Sequence, residues 1–148
     1  MIRFLPINID EKSNQMFAGI PECEPILAVF TEHYRKVGYE PPWIAYFIAD
    51  ETGELIGGGG FKGAPVNGKV EISYGTFEKY QGRGLATEIC RELRDLAIKE
   101  EPSVRVTART LPTNYASIRV LEKNGFVNQG IVFDLDDGDV FEFIYFGI

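Results

Sequence analysis

The chain has 148 residues and a formal net charge of −7, with 45% hydrophobic, 13% aromatic and 25% charged residues. This length fits one domain, and the composition is that of an ordinary globular chain. The acidic balance argues against nucleic acid as a partner, because affinity for a phosphate backbone comes from clustered Lys and Arg.

Targeting segments and disulfide frameworks are not predicted. No apolar run reaches the ~18 residues that cross a bilayer, and the start of the chain lacks the apolar length of a signal peptide. A cytoplasmic location without a membrane partner is therefore expected. Cys23 and Cys90 are far apart and are interpreted as free thiols, and no metal-ligand pattern accompanies them.

The first part of the chain predicts a strand at residues 2–5 and then a helical region at residues 10–37. Asp10 is a start signal, and Pro21 and Pro25 divide the region into two helices. The second helix has an inward stripe of Ile26, Leu27, Phe30, Tyr34 and Val37.

Residues 43–49, 55–61 and 70–76 predict strands two to four of an antiparallel meander. Residues 57–60 are all glycine, which indicates a close approach of another backbone or a substrate, a bulge, or an irregular edge. They also fall within a formal G-x-G-x-x-G pattern. A dinucleotide site is not expected there, because Pro65 follows and no helix can begin.

The fourth strand leads through a glycine-bearing turn into the long helix that organises the rest of the chain. Leu85, Ile89 and Leu93 recur at helical spacing from Gly84 until Pro102 stops the helix. The first turn of a helix has unpaired backbone N–H groups and a partial positive charge. This stretch therefore predicts an anion site.

The remaining residues predict a strand, a helix and a closing hairpin. The strand covers residues 103–110, the helix residues 114–123, and the hairpin residues 126–135 and 140–148. Asn114 is a candidate cap for this helix, and Gly125 stands where a left-handed stop is expected.

Two of these segments resemble signatures of one family, the GNAT superfamily of acyl-CoA-dependent N-acetyltransferases. The turn is similar to the signature Gln/Arg-x-x-Gly-x-Gly/Ala and reads Gln81-Gly82-Arg83-Gly84-Leu85-Ala86. The later helix resembles the second signature, especially in the ribosomal-protein acetyltransferase-like branch, and reads Asn114-Tyr115-Ala116-Ser117-Ile118-Arg119-Val120-Leu121-Glu122-Lys123-Asn124-Gly125-Phe126. Both occur in the family's order.

The resemblance implies one GNAT domain over residues 1–148. Its fold would be α/β, a mixed, mostly antiparallel, bent sheet of about seven strands with helices on both faces. The coenzyme would lie where strands four and five splay apart. The two faces of strand four are Val70, Ile72, Tyr74 and Thr76 on one side and Glu71, Ser73 and Gly75 on the other.

Acetyl-CoA is the cosubstrate that the resemblance implies. Backbone amides of residues 82–87 would hold its diphosphate, Gln81 and Arg83 would contact its flanks, and Asn114 would line the coenzyme channel. The implied coenzyme-binding residues are therefore Gln81, Gly82, Arg83, Gly84, Leu85, Ala86, Thr87 and Asn114. Backbone N–H groups around Thr76 and Phe77 would meet the oxyanion. Arg119 and Lys123 share one exposed face and are interpreted mainly as solvated surface, with neutralisation of the coenzyme phosphates as the alternative.

Catalysis requires a base for the incoming ammonium and a proton for the departing thiolate. Glu71 is the candidate base, with a surface carboxylate as the alternative. Many family members have Tyr where this chain has Leu121, and Ser117, one turn earlier, is the candidate substitute. His33, the only histidine, is an alternative base, but it is interpreted as a packing or surface residue.

The implied activity is direct transfer of an acetyl group to a primary amine of a small molecule or a protein N-terminus. A non-catalytic acyl-CoA-binding or sensor protein is the alternative, because the Tyr is absent. The acceptor is not predicted, and a homodimer formed through a sheet edge is left open.

Overall fold

The computed structural model describes residues 1–147, which form a seven-stranded sheet and three α-helices. The strands are β1 Arg3–Pro6, β2 Ala45–Ala49, β3 Leu55–Phe61, β4 Lys69–Thr76, β5 Arg105–Thr110, β6 Phe126–Asp134 and β7 Gly138–Tyr145. The helices are α1 Glu24–Val37, α2 Leu85–Glu100 and α3 Tyr115–Lys123, with 3-10 helices at Glu11–Phe17 and Glu78–Tyr80. The predicted α/β fold is confirmed.

The strand order is β1-β2-β3-β4-β5-β7-β6, and the neighbours are antiparallel except β4 and β5. The parallel pair needs a crossover connection, which α2 supplies. Residues 69–72 of β4 pair with residues 105–108 of β5, and the pairing ends there although both strands continue. The sheet therefore opens beside residues 73–76, which is the separation expected between strands four and five.

Helices lie on both faces of the sheet. On α2, Ile89 and Leu93 are fully buried, and Leu93 lies against Gly59 and Tyr74, so α2 covers the face to which Tyr74 points. Helix α3 packs against α2 on that side. Side chains alternate along a strand, so Ser73 points to the opposite face, where Ile26 and Phe30 of α1 line a groove with it.

Helix α1 is joined to the sheet by one buried tyrosine. The Tyr34 hydroxyl donates to the Ile7 carbonyl at 2.8 Å and accepts from the Ala45 N–H at 2.9 Å. Tyr34 is the buried member of the predicted stripe, whereas Ile26, Leu27 and Phe30 are half-buried. The predicted inward position of Val37 is wrong. Its side chain is 44% exposed at the last residue of the helix, before Gly38 at a φ of +92°.

The predicted helix before α1 is also wrong in type. Asp10 does accept a hydrogen bond from the Lys12 N–H at 3.1 Å, but Glu11–Phe17 is a 3-10 helix of seven residues. Buried Asn14 accepts a 2.7 Å bond from the Asn8 N–H and donates a 2.8 Å bond to the Asn8 carbonyl. These bonds fix the segment to the preceding loop, and the 3-10 helix ends at Phe17, before Pro21.

The glycine run lies in β3, an interior strand, so the edge interpretation is wrong. A Cβ on Gly57 would lie 2.3 Å from the Gly75 oxygen, and one on Gly60 would lie 2.5 Å from the Ile44 oxygen. Close approach of neighbouring backbones is therefore the reason for these two glycines.

The closing hairpin is confirmed as β6 and β7, with β7 ending at Tyr145. The predicted strand extended to residue 148, which lies outside the described residues. Gly125 has a φ of +81°, so it ends the α3 segment in the left-handed conformation that was expected.

Candidate active site

A cleft of about 650 Å³ lies between the first turns of α2 and α3, beside the open part of β4. Both predicted signatures contribute to it. Its lining residues are Tyr74, Gly75, Thr76, Tyr80, Gln81, Gly82, Gly84, Leu85, Ala86, Thr87, Asn114, Ala116, Ser117, Arg119, Val120 and Lys123.

The turn before α2 presents backbone donors to this cleft. Gly82 and Gly84 have φ values of +78° and +76°, a conformation that glycine adopts without strain. The Glu88 N–H makes the bond to the Gly84 carbonyl at 3.3 Å, and no side chain caps this end of the helix. The three preceding N–H groups, of residues 85–87, therefore have no intrahelical partner and are suited to bind an anion.

Asn114 caps α3 and also lines the cleft. Its Oδ1 accepts a hydrogen bond from the Ser117 N–H at 3.2 Å, which confirms the predicted cap. The Thr87 carbonyl accepts a 3.1 Å bond from the Asn124 side chain at the other end of α3. This bond links α2 to α3 and so helps to fix the position of the two helices that form the walls of the cleft.

Positive charge in the cleft comes from α3. Arg119 and Lys123 both line it, and both are exposed, as the sequence predicted. By contrast, the Arg83 guanidinium lies 5.5 Å from the Tyr80 ring centroid and Arg83 is not among the lining residues. The pattern Gln-x-x-Gly predicted the turn correctly, but it did not indicate that the cations lining the cleft come from α3 rather than from Arg83.

The open edge of β4 carries further backbone donors, and here one expectation needs correction. The Phe77 N–H donates to the Ile56 carbonyl at 2.9 Å, so it is already used within the sheet. Bonding alternates along an antiparallel pair, so the N–H groups of Tyr74 and Thr76 point away from β3, towards the side where β5 has diverged. The Phe77 N–H is therefore not free to bind an oxyanion, whereas the N–H groups of Tyr74 and Thr76 face the open edge of β4.

A second, smaller groove of about 270 Å³ lies on the α1 face of the same residues of β4. Ile26 and Phe30 of α1 form one wall, and Gly58, Ser73 and Phe77 are among the residues of the opposite wall. Tyr74, Gly75 and Thr76 line both this groove and the larger cleft. The two spaces therefore meet at β4, from opposite faces of the sheet.

Glu71 lies two residues before Ser73 on the α1 face and belongs to an ionic network. Its carboxylate is 2.7 Å from the Lys62 Nζ and 3.9 Å from the Arg109 Nε, and its side chain is 21% exposed. Arg109 also contacts Asp134 at 3.1 Å and Glu142 at 3.5 Å. Lys62 and Arg109 therefore fix the position of the Glu71 carboxylate, which does not itself line the groove.

The remaining residues considered for catalysis differ in burial and surroundings. Leu121 is 1% exposed and packs in the core, whereas Ser117 lines the cleft. The His33 ring lies edge-on to Phe30, with the ring centroids 6.3 Å apart, in agreement with a packing role. Burial raises the pKa of Cys90 to about 11, so this thiol stays protonated at neutral pH.

Within residues 1–147, no group of three His, Cys, Asp or Glu side chains is placed to hold a metal ion. None of the helices in that range has both the length and the apolar character needed to cross a membrane.

The sequence and the fold correspond to a known family. Residues 4–127 match the acetyltransferase (GNAT) domain, and the chain belongs to that family. The solved structure of the aminoglycoside acetyltransferase AAC(6')-Ib in complex with coenzyme A and kanamycin has a TM-score of 0.68 over 97% of this chain and 92% of that one. At 23% identity, this similarity shows a shared fold.

Two relatives with higher identity are uncharacterized N-acetyltransferases. YjdG of Bacillus subtilis is 35% identical over 78% of this chain and 66% of its own length. Protein p20 of Bacillus licheniformis is 32% identical over 60% of this chain and 51% of its own length. The matched part of this chain thus spans about two thirds and about half of these relatives.

Proposed function

We propose that this chain is an acetyl-CoA-dependent N-acetyltransferase that acts on a primary amine by direct transfer. The observation that carries the proposal is the open N-terminus of α2, whose unpaired amides line a cleft that reaches the open edge of β4. A nucleotide diphosphate is the kind of anion that such a helix end binds. The membership of the GNAT family supports the same ligand.

In this proposal the coenzyme lies across both walls of the cleft. The amides of residues 82–87 bind its diphosphate, Gln81 and Asn114 contact its flanks, and Arg119 and Lys123 offset its charge. The acyl arm then enters the gap between β4 and β5. Because Gly75 and Thr76 line both spaces, the thioester at the end of that arm comes within reach of the groove on the α1 face.

The groove on the α1 face is the proposed site of the amine. The neutral amine attacks the thioester carbonyl, whose oxygen accepts hydrogen bonds from the N–H groups of Tyr74 and Thr76. Glu71 receives the proton of the incoming ammonium, directly or through one water. Ser117 lies on the cleft side and contacts the thiol end of the coenzyme.

The acceptor is a primary amine of a small molecule or of a protein N-terminus, the latter as in the ribosomal-protein branch. Kanamycin, the ligand named with AAC(6')-Ib, supports an amine-bearing acceptor for a protein of this fold. The net charge of −7 favours a cationic acceptor over an anionic one.

The test is release of free thiol from acetyl-CoA in the presence of a panel of amines and N-terminal peptides. Thiol release with at least one acceptor, and an acetylated product of matching mass, supports the enzyme. Coenzyme binding without any thiol release would instead support the non-catalytic acyl-CoA-binding protein.

Glu71→Gln tests the base, and we expect kcat to fall about 100-fold or more while the affinity for acetyl-CoA changes little. Glu142→Gln is the matched control, because Glu142 also contacts Arg109 but lies two strands away from β4. Equal losses in both variants would assign Glu71 to the ionic network alone.

A homodimer is a further part of this proposal. β6 ends the sheet, and its Ile131 and Phe133 are 62% and 69% exposed. A free edge strand with apolar side chains is suited to pair with a second copy. Sedimentation equilibrium should give twice the monomer mass, and Ile131→Lys should return the monomer; a monomeric wild-type protein would contradict this part.

A further inference from the structure

Gly75 is a strand glycine whose presence neither packing nor backbone conformation explains. A Cβ at Gly57 or Gly60 would collide with a neighbouring backbone, whereas a Cβ at Gly75 would have no atom within 4 Å beyond its chain neighbours. The φ of Gly75 also lies outside the left-handed region that favours glycine. Because glycine destabilises a strand interior relative to alanine, its use at this position indicates a need for open space.

The open space beside Gly75 belongs to the proposed site. Gly75 is exposed although β4 is an interior strand, and it lines both the cleft and the groove on the α1 face. Its neighbours Tyr74 and Thr76 supply the N–H groups that the proposed function directs at the thioester oxygen. In that arrangement the carbonyl carbon lies beside Gly75, and an acyl chain beyond that carbon extends into the groove.

The groove has both the room and the lining for more than a methyl group. Its volume of about 270 Å³ is several times the roughly 30 Å³ that one water molecule takes in the liquid. Ile26, Phe30 and Phe77 supply its large apolar side chains, and no charged residue within residues 1–147 lines it. This lining favours an aliphatic chain and disfavours a carboxylate, because a charge would lose its hydration there without gaining a partner.

Resting on the proposed function, we infer that Gly75 determines donor specificity by leaving room for a neutral aliphatic acyl group larger than acetyl, so that butyryl-CoA is also a donor. The reaction is the same as for acetyl-CoA. The amine nitrogen bonds to the carbonyl carbon, the C–S bond breaks with its electron pair going to sulfur, and the proton lost by nitrogen balances the thiolate. The products are the N-acyl amine and the free coenzyme thiol.

The experiment compares the dissociation constants of acetyl-CoA, butyryl-CoA and succinyl-CoA by calorimetric titration, so it needs no acceptor. Butyryl and succinyl groups have the same number of carbons, but succinyl ends in a carboxylate. We expect wild type to bind butyryl-CoA about threefold to tenfold more tightly than acetyl-CoA, because two more methylenes leave water. Succinyl-CoA should bind more weakly than both. Butyryl-CoA should also release thiol with any acceptor that acetyl-CoA serves.

Gly75→Ala places one methyl group in the open space. Acetyl-CoA should bind within about twofold of wild type, whereas butyryl-CoA should bind about tenfold more weakly, the scale of one methylene in excess in an apolar pocket. Gly58→Ala is the matched control, because Gly58 pairs with Gly75 and also lines the groove, but β3 lies farther from the coenzyme cleft. It should keep the wild-type ratio of the two affinities.

Three outcomes would overturn the inference and leave the proposed function intact. The first is a wild-type protein that binds acetyl-CoA but binds butyryl-CoA about tenfold more weakly. The second is an equal loss of butyryl-CoA affinity in Gly75→Ala and Gly58→Ala, and the third is no loss in Gly75→Ala. Absence of binding of all three donors by wild type would remove the proposed function and this inference together.

Discussion

At the scale of single residues, Asn114 has two separable tasks. Its Oδ1 caps α3 through the Ser117 N–H, and the same side chain lines the cleft. Asn114→Ala should lower the free energy of unfolding by about 1 kcal/mol, because it removes the cap. Urea denaturation measures this loss.

Asn114→Ser separates capping from binding, because serine also caps helices well. We expect near wild-type stability for this variant but weaker binding of coenzyme A in a calorimetric titration. Wild-type affinity in Asn114→Ser would assign Asn114 to capping alone.

Single residues also show what the sequence could not predict. Glu71 was chosen from its position in strand four, but its partners Lys62 and Arg109 lie up to 38 positions away along the chain, and only the folded sheet brings them together. The use of the Phe77 N–H by Ile56 likewise depends on strand register. The face of strand four to which Tyr74 points was readable from the sequence, whereas the burial of its hydroxyl beside Ser117 and Cys90 depends on the positions of α2 and α3.

At the scale of elements, the glycine run of β3 contains glycines with two different roles: some allow close packing of neighbouring backbones, and Gly58 lines the small groove. A Cβ on Gly60 would lie 2.5 Å from the Ile44 oxygen, whereas one on Gly58 would lie 3.4 Å from the Tyr46 oxygen and beside the small groove. Gly60→Ala should therefore destabilise the protein by about 1–3 kcal/mol.

Gly58→Ala should instead fold nearly normally and raise KM for the amine by narrowing the groove. Thermal unfolding and steady-state kinetics measure the two effects. Equal stability losses in the two variants, with KM unchanged, would show that Gly58 serves packing as Gly60 does.

Helix α3 provides the second test at this scale, through its two cations in the cleft. Arg119→Gln and Lys123→Gln should each weaken binding of coenzyme A about fivefold, or ~1 kcal/mol, because each removes one partly exposed ion pair. Added salt should shrink these differences. Titrations at low and moderate salt measure them.

Lys99→Gln, in the last turn of α2, is the control for loss of charge away from the cleft. Binding of acetyl-pantetheine, which lacks the nucleotide phosphates, should be unchanged in all three variants. A fivefold loss for acetyl-pantetheine as well would contradict a phosphate-specific role.

Elements were predictable where the signal is local. The strand-turn-helix around Gly82 and Gly84 followed from alternation, glycine and helical spacing, all within 31 residues from Val70 to Glu100. The segment Glu11–Phe17 was predicted poorly, because its conformation depends on bonds between Asn14 and Asn8 rather than on its own periodicity.

At the scale of the whole molecule, the function depends on how the sheet opens. Strands β4 and β5 start in register and separate after Ile72 and Ala108, and α2 and α3 close one side of that opening while α1 bounds the other. A polyanionic coenzyme can bind an acidic protein only if local groups oppose the net charge of −7. In the proposed function, the amides of α2 and the cations of α3 are those groups.

The most direct measurement is an amide NMR titration of the protein with coenzyme A. We expect the largest shift changes on residues 82–87, followed by residues 114–119 and the open edge of β4. Changes concentrated instead in the separate cleft between Glu11–Phe17 and α1 would contradict it, as would the absence of any saturable change.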